Sequence, residues 1–347
     1  MVDDDVATAI AVTGVSGFIG QRLLPLFDAC ETIDRIVGLD VRDPARRARK
    51  LDFHRVDVCG ADLAPYFRGV TAVVHLAAIV GPIPDTELLS RVNVDSTRGV
   101  LDAATRAGVR KVVRPSSAAV YGAWSNNPVP LTEEAPLRPS PGYLPAIVDA
   151  ECERLLSDWA AERPARSATR LRIAPVVGAG AQSLFAQIAT GRAPVRVRGA
   201  TPPVQVVHVD DAASALALAV AQDLDGVYNV AADGWLTRAD ADALLPRRRV
   251  LGLPEEVAER ILGATWAAGV GDAPPSVLPY LLHPWVVAND RLERAGWRPR
   301  YSNDEALLLA TPSDGASVIP YVAGAAAVTA GVALGTWWLT RRRRRPS

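Results

Sequence analysis

A turn with three glycines, Thr13-Gly-Val-Ser-Gly-Phe-Ile-Gly20, joins a short apolar run (Ala7–Val12) to a segment with apolar residues at helical spacing, Phe18–Ala29. Glycines in that place let backbone amides at a helix N-terminus approach a pyrophosphate with no Cβ in the way. Gly14 is expected to make the turn, Gly17 the close approach and Gly20 the tight contact of helix on sheet, with Ser16, Phe18 and Ile19 between them. A second apolar run, Arg35–Leu39, ends at Asp40. A carboxylate there accepts hydrogen bonds from a ribose 2′-hydroxyl and repels a 2′-phosphate. The combination predicts a site for NAD, although Arg42, two residues on, would suit a phosphate. Glycines also punctuate ordinary loops, so the weight falls on the context: strand before, helix after, acidic residue at the end of the next strand.

Other reactive side chains form no comparable pattern. Cys30, Cys59 and Cys152 have no metal-ligand spacing and read as reduced thiols, and no metal is expected. His75 ends a buried strand and reads as a packing and backbone-contact residue, and His208 as a hydrogen-bonding residue within its lobe. Tyr121 and Trp124 either line a pocket or pack, while Trp266, Trp285 and Trp297 read as core.

The elements that would hold the loop alternate regularly. Strand-like runs at Phe53–Val56, Ala72–Leu76, Lys111–Ser116 and Ala168–Ile173 are separated by helical patterns at Ala61–Phe67, Leu88–Ala107 and Ile147–Glu162. Apolar strands alternating with helices imply a parallel sheet covered on both faces. The expected fold is therefore an α/β Rossmann domain, doubly wound, over residues 1–174. A smaller substrate lobe at 175–310, interleaved with the sheet, holds short strands at Val204–Val209 and Gly226–Val230 and a helix at Asp211–Ala221. Basic and acidic residues balance at 38 each, so no overall field points to nucleic acid. Arginine supplies nearly all the positive charge; the lysines are Lys50 and Lys111.

Several segments in order resemble the extended short-chain dehydrogenase/reductase family, the NAD-dependent epimerase/dehydratase group. They are the loop Thr13–Gly20, Asp57-Val58, His75-Leu-Ala-Ala78, Asn93, Ser116-Ser-Ala-Ala-Val-Tyr-Gly122 and Val207-His-Val-Asp-Asp211, within a resemblance running from Ala7 to Leu309. It implies a Rossmann domain with a C-terminal substrate lobe, and NAD contacts from Asp57, Val58, Leu76, Ala77, Ala78, Asn93 and Tyr143. It also implies a catalytic Ser at Ser117, a catalytic Tyr at Tyr143, and a Lys four residues after the Tyr that lowers the phenol pKa and holds the nicotinamide ribose. That last position is Ile147. An unassisted phenol with a pKa of about 10 is ionised only about once in a thousand at pH 7, and forgoing a three-unit shift forfeits roughly 4 kcal/mol. Lys111 opens the fifth strand, at the end opposite the site. Pro175 and Val204 stand where many nucleotide-sugar members carry Asn and some carry Arg, which argues against a nucleotide sugar.

Beyond a polar linker at 311–317, residues 318–340 carry no charge and a poly-Arg tail fills 341–347. Such a segment is long enough to span a ~30 Å hydrocarbon core, with Trp337 and Trp338 at an interface and the arginines on anionic lipid. With no secretory signal at the N-terminus, the expectation is a single-pass C-terminal membrane anchor, lipid partners along 318–345 and a cytoplasmic NAD domain. Gly331-Val-Ala-Leu-Gly335 adds a weak homodimer signal. Two functions fit. One is a membrane-attached NAD-dependent oxidoreductase or epimerase-like enzyme using Ser117 and Tyr143 on a small molecule, apolar or lipid-linked in preference to a nucleotide sugar. The other is a catalytically inactive NAD-binding sensor or scaffold at the membrane.

Overall fold

The computed structural model describes residues 8–192, 195–245 and 252–311, which lie in one compact unit. Its centre is a seven-stranded sheet: β1 (Thr8–Thr13), β2 (Ile33–Asp40), β3 (Leu51–Arg55), β4 (Val70–His75), β5 (Lys111–Ser117), β6 (Ser167–Ile173) and β9 (Gly226–Val230). The order is β3-β2-β1-β4-β5-β6-β9 and every pairing is parallel. The chain leaves β1 toward β2 on one side and reaches β4 on the other. In open α/β sheets a ligand crevice lies at such a reversal, outside the carboxyl ends of the strands. Thr13, Asp40, His75 and Ser117 are the last residues of β1, β2, β4 and β5, so the carboxyl ends of the strands gather most of the residues singled out above.

Alternation along the strands feeds two cores. Ile10, Val12, Val113, Leu171 and Ile173 pack with α1 (Gly20–Ala29) and α6 (Val209–Ala221) through Leu23, Leu24, Phe27, Ala212 and Leu216. Ala9, Ala11, Val112 and Ala168 face the other way, onto α3 (Ser96–Ala107) and α4 (Leu144–Ala161), against Val100, Leu101, Leu156 and Trp159. This is the period-two pattern of a sheet buried on both faces.

Four local expectations differ from what is observed. Residues 61–67 form turns rather than a helix, because Pro65 supplies no amide donor and the stretch is short. The long helix expected over Leu88–Ala107 is broken into α2 (Thr86–Ser90), a π-helical turn at Arg91–Asp95, and α3. The strand expected at Val204–Val209 shrinks to β8 (Val207–His208), paired with β7 (Val176–Val177). Gly226–Val230 joins the main sheet beside β6 as its edge strand.

The transmembrane expectation is corrected. Among the described residues no helix is long and apolar enough to cross a membrane. The longest of them, α4, has 18 residues and carries Asp149, Glu151, Glu153, Arg154 and Asp158. The segments 318–340, Gly331–Gly335 and 341–347 lie outside the described residues. The fold is thus the parallel sheet with its C-terminal lobe; a membrane anchor, membrane location and lipid partners along 318–345 have no support in it.

Candidate active site

The glycine loop is built as its spacing requires. Gly14 has φ +71°, and a Cβ there would sit 2.6 Å from the Ala77 nitrogen, so β1 and the chain after β4 touch backbone to backbone. A Cβ at Gly20 would meet the Gly14 and Val15 carbonyl oxygens at 2.5 and 2.6 Å. At Gly17 the only neighbour within reach would be the Gly14 oxygen, at 3.0 Å, which leaves a cradle that any side chain would fill. Such a cradle fits a pyrophosphate. Ile19 is the N-cap of α1 without a side-chain cap, and the Phe18 ring reaches the loop carrying Gly180.

Asp40 is buried, and its two oxygens accept from Ser16 N (2.9 Å) and Arg42 N (3.0 Å). A carboxylate has lone pairs left after two such bonds, so Asp40 is tied to the loop and still able to receive ribose hydroxyls. The Arg42 side chain points outward, 73% exposed and 4.0 Å from Asp40. Asp57 is exposed and accepts from Cys59 N (2.9 Å), while Val58 beside it is buried.

After β4, Leu76 N donates to Thr13 O (3.0 Å) and Ala77 N to Thr13 Oγ1 (3.3 Å), with Ala78 exposed beyond. The Thr13 hydroxyl meets His75 Nδ1 at 2.7 Å and Ser96 Oγ lies 3.5 Å from Nε2; the Ser96 hydroxyl donates to Val92 O, so toward His75 it accepts, which places the ring proton on Nε2. Burial drives the His75 pKa down to about 3, so the ring is neutral. Asn93 brackets Ile79, accepting from its N–H (2.8 Å) and donating to its carbonyl (3.0 Å). Its amide therefore shapes the loop that follows Ala78.

Ser117 ends β5 and its hydroxyl accepts from Ala119 N at 3.1 Å, capping the short turn Ala118–Tyr121. Tyr143 is the N-cap of α4 and is almost fully buried. Its ring lies 5.4 Å from Phe185 and 5.0 Å from Tyr280, and Trp285 closes the group at 4.7 and 5.2 Å from those two. Sequence spacing gave no hint of this aromatic cluster, because its members come from α4, α5 (Leu184–Ala189) and the stretch around α9 (Leu278–Leu282). Burial among the rings pushes the Tyr143 phenol well above its ordinary value near 10. Ile147, one turn further along α4, is 42% exposed. Trp124 lines a cavity of about 460 Å³ with Ser140, Pro141, Leu278 and His283. Val204, where some nucleotide-sugar enzymes carry Arg, is buried and bridges to Leu236. Among the described residues no cluster could hold a metal ion.

The chain is similar to several known proteins. The sequence model of the "NAD dependent epimerase/dehydratase family" matches residues 10–231. A 3-diazoavenalumate denitrifying reductase from Streptomyces sp. is 30% identical over 326 residues, 84% of this chain and 96% of that one. An uncharacterized protein of Mycobacterium tuberculosis is 28% identical over 243 residues, which cover 67% of this chain and 64% of its length. The Thermus thermophilus UDP-glucose 4-epimerase complex with NAD superposes with a TM-score of 0.66 at 25% identity, over 87% of this chain and 97% of that one. The expectation of a lipid-linked or apolar substrate rested on the membrane segment and on Pro175 and Val204; the first has no support in the described fold, and the matched Thermus thermophilus structure is that of a nucleotide-sugar enzyme. The chain belongs to the NAD-dependent epimerase/dehydratase family, whose dependence on NAD fits the glycine loop and Asp40.

Proposed function

We propose that the chain is an NAD(H)-dependent reductase of this family, taking a carbonyl-bearing small molecule, with nucleotide keto-sugars the first class to try. The observation that carries the reading is the pairing of a buried Tyr143 with an isoleucine at the position one turn on. Epimerisation and dehydration begin by oxidising a substrate alcohol, and that step needs a base to take the hydroxyl proton. A phenol lifted well above 10, with Ile147 in place of an ammonium, is a poor base near pH 7. Toward the alkoxide-like oxygen that hydride transfer creates it is still the stronger acid, and the phenolate left behind takes its proton back from water once the product leaves. The long relative named as a reductase supports the same direction.

In this reading Gly14, Gly17 and Gly20 hold the pyrophosphate against α1, with Ser16, Phe18 and Ile19 around it, and Asp40 receives the adenosine ribose. Asp57 and Val58 flank the adenine, and Leu76, Ala77 and Ala78, shaped by Asn93, form the wall after β4. Bound NADH supplies the hydride. Ser117 donates a hydrogen bond to the substrate oxygen and Tyr143 gives it a proton, so the alcohol leaves neutral. Phe185, Tyr280 and Trp285 keep water from the phenol.

The test is NADH consumption by the purified chain against a panel of nucleotide 4-keto-sugars and simple ketones, beside an assay for UDP-glucose/UDP-galactose exchange. Reduction without exchange supports the reading; efficient exchange overturns it.

A further inference from the structure

Helix α4 meets the sheet through charged groups along part of its length. Asp149, Glu153 and Ser157 recur at every fourth position, the spacing of one helix face. Opposite them stand side chains of β5 and β6. Arg114 donates to Asp149 Oδ1 through both terminal nitrogens at 3.1 Å, Arg172 grips both oxygens of Glu153 at 2.8–3.1 Å, and Arg170 reaches Ser157. The Arg172 and Glu153 side chains are only 6% and 4% exposed. Buried ion pairs add little stability over well-packed apolar residues of similar volume, yet they demand one geometry.

The Glu153 group holds the chain on both sides of Ser117. Ser116 donates to Glu153 Oε1 at 2.6 Å, just before it. After it, the Tyr121 hydroxyl accepts from Arg172 at 2.8 Å and donates to Asn229 Oδ1 at 2.8 Å. The same Glu153 belongs to the helix whose N-cap is Tyr143, about 15 Å away along a continuous helix. One side chain thus connects the strand end that carries Ser117 to the rigid rod that carries Tyr143.

We propose that Glu153, with Arg172 and Ser116, is a positioning residue that sets the separation of Ser117 and Tyr143. This rests on the reading of those two as the acting pair. The full-length chain is tested as two variants, Glu153→Gln and the double variant Glu153→Leu/Arg172→Met, by crystal structure, melting temperature, and kcat and KM for NADH-driven reduction of 9,10-phenanthrenequinone. Glu153→Gln keeps one oxygen to accept from Arg172 while its NH2 can donate to the Ser116 hydroxyl, and it leaves the buried cation without its counter-charge. It is expected to melt earlier, keep the Ser117–Tyr143 separation, and keep kcat within about fivefold. The double variant is expected to melt near the wild type, shift the separation by about 1 Å and lose roughly 10²-fold in kcat with little change in KM. A double variant with wild-type separation, or turnover that follows melting temperature across the two, overturns the proposal. If Tyr143→Phe and Ser117→Ala both leave turnover intact, the acting pair is misassigned, while the separation still reports on Glu153 by itself.

Discussion

Tyr143 and Ile147 stand one helical turn apart on α4, the first 1% exposed and enclosed by aromatic rings, the second 42% exposed. The phenol is therefore kept neutral twice over, by burial and by the lack of an ammonium beside it. Replacing Ile147 with Lys restores the cation at an exposed position where a long polar side chain costs little. Ile147→Lys should raise NAD⁺-dependent alcohol oxidation at neutral pH by about tenfold or more and change melting temperature little. Steady-state rates in both directions check this.

Acid should loosen the protein through His75. Its folded-state pKa is depressed to about 3 from 6.5, with burial as the leading cause and Arg114 adding to it. Between those values the unfolded chain takes up a proton that the folded chain does not, so stability falls as pH drops through that window. By pH 3 the loss is on the order of 5 kcal/mol. Urea unfolding at a series of pH values should show the slope, and His75→Gln should flatten it.

The three glycines should separate by what they touch. Gly14→Ala puts a Cβ against the Ala77 backbone at a left-handed φ, and should cost about 2 kcal/mol or more of stability. Gly17→Ala meets only one carbonyl oxygen at 3.0 Å. It should fold nearly normally but bind NAD about tenfold more weakly or worse, because the added methyl fills the cradle. Thermal unfolding and NADH fluorescence titration distinguish the two.

Asp40 should set cofactor preference. Its carboxylate faces the end of β2, while Arg42 lies free of tight pairing and 73% exposed. Asp40→Ser removes the charge that repels a 2′-phosphate and should shift the NAD-to-NADP affinity ratio toward NADP by about tenfold or more. Binding of the two reduced cofactors to wild type and variant measures the shift.

Local chemistry made much of this legible in the sequence. The glycine loop and Asp40 lie within some thirty residues of one another, and turn and strand end are short-range features. The alternation of strands predicted a parallel sheet for the same reason. The rings around Tyr143 are brought together by tertiary packing, and no local period announces residues 143, 185, 280 and 285 as neighbours. The ion pairs beneath α4 are an intermediate case. Asp149 and Glu153 share a helix face with the apolar Leu156, a conflict visible in the sequence, but their arginine partners are fixed only by the β5–β6 register. The charge-free segment at 318–340 shows the converse, since composition alone suggested a membrane helix that nothing in the described fold supports.

The central claim is that Tyr143 works as a neutral donor in reduction and not as a base in oxidation. It is tested most directly by the pH dependence of both directions on one substrate pair, from about pH 6 to 9. The account predicts NADH-driven reduction that stays nearly level over that range and falls sharply in Tyr143→Phe, beside NAD⁺-driven oxidation that stays slow throughout. Oxidation that rises through an ionisation near neutrality and matches reduction in rate would contradict it.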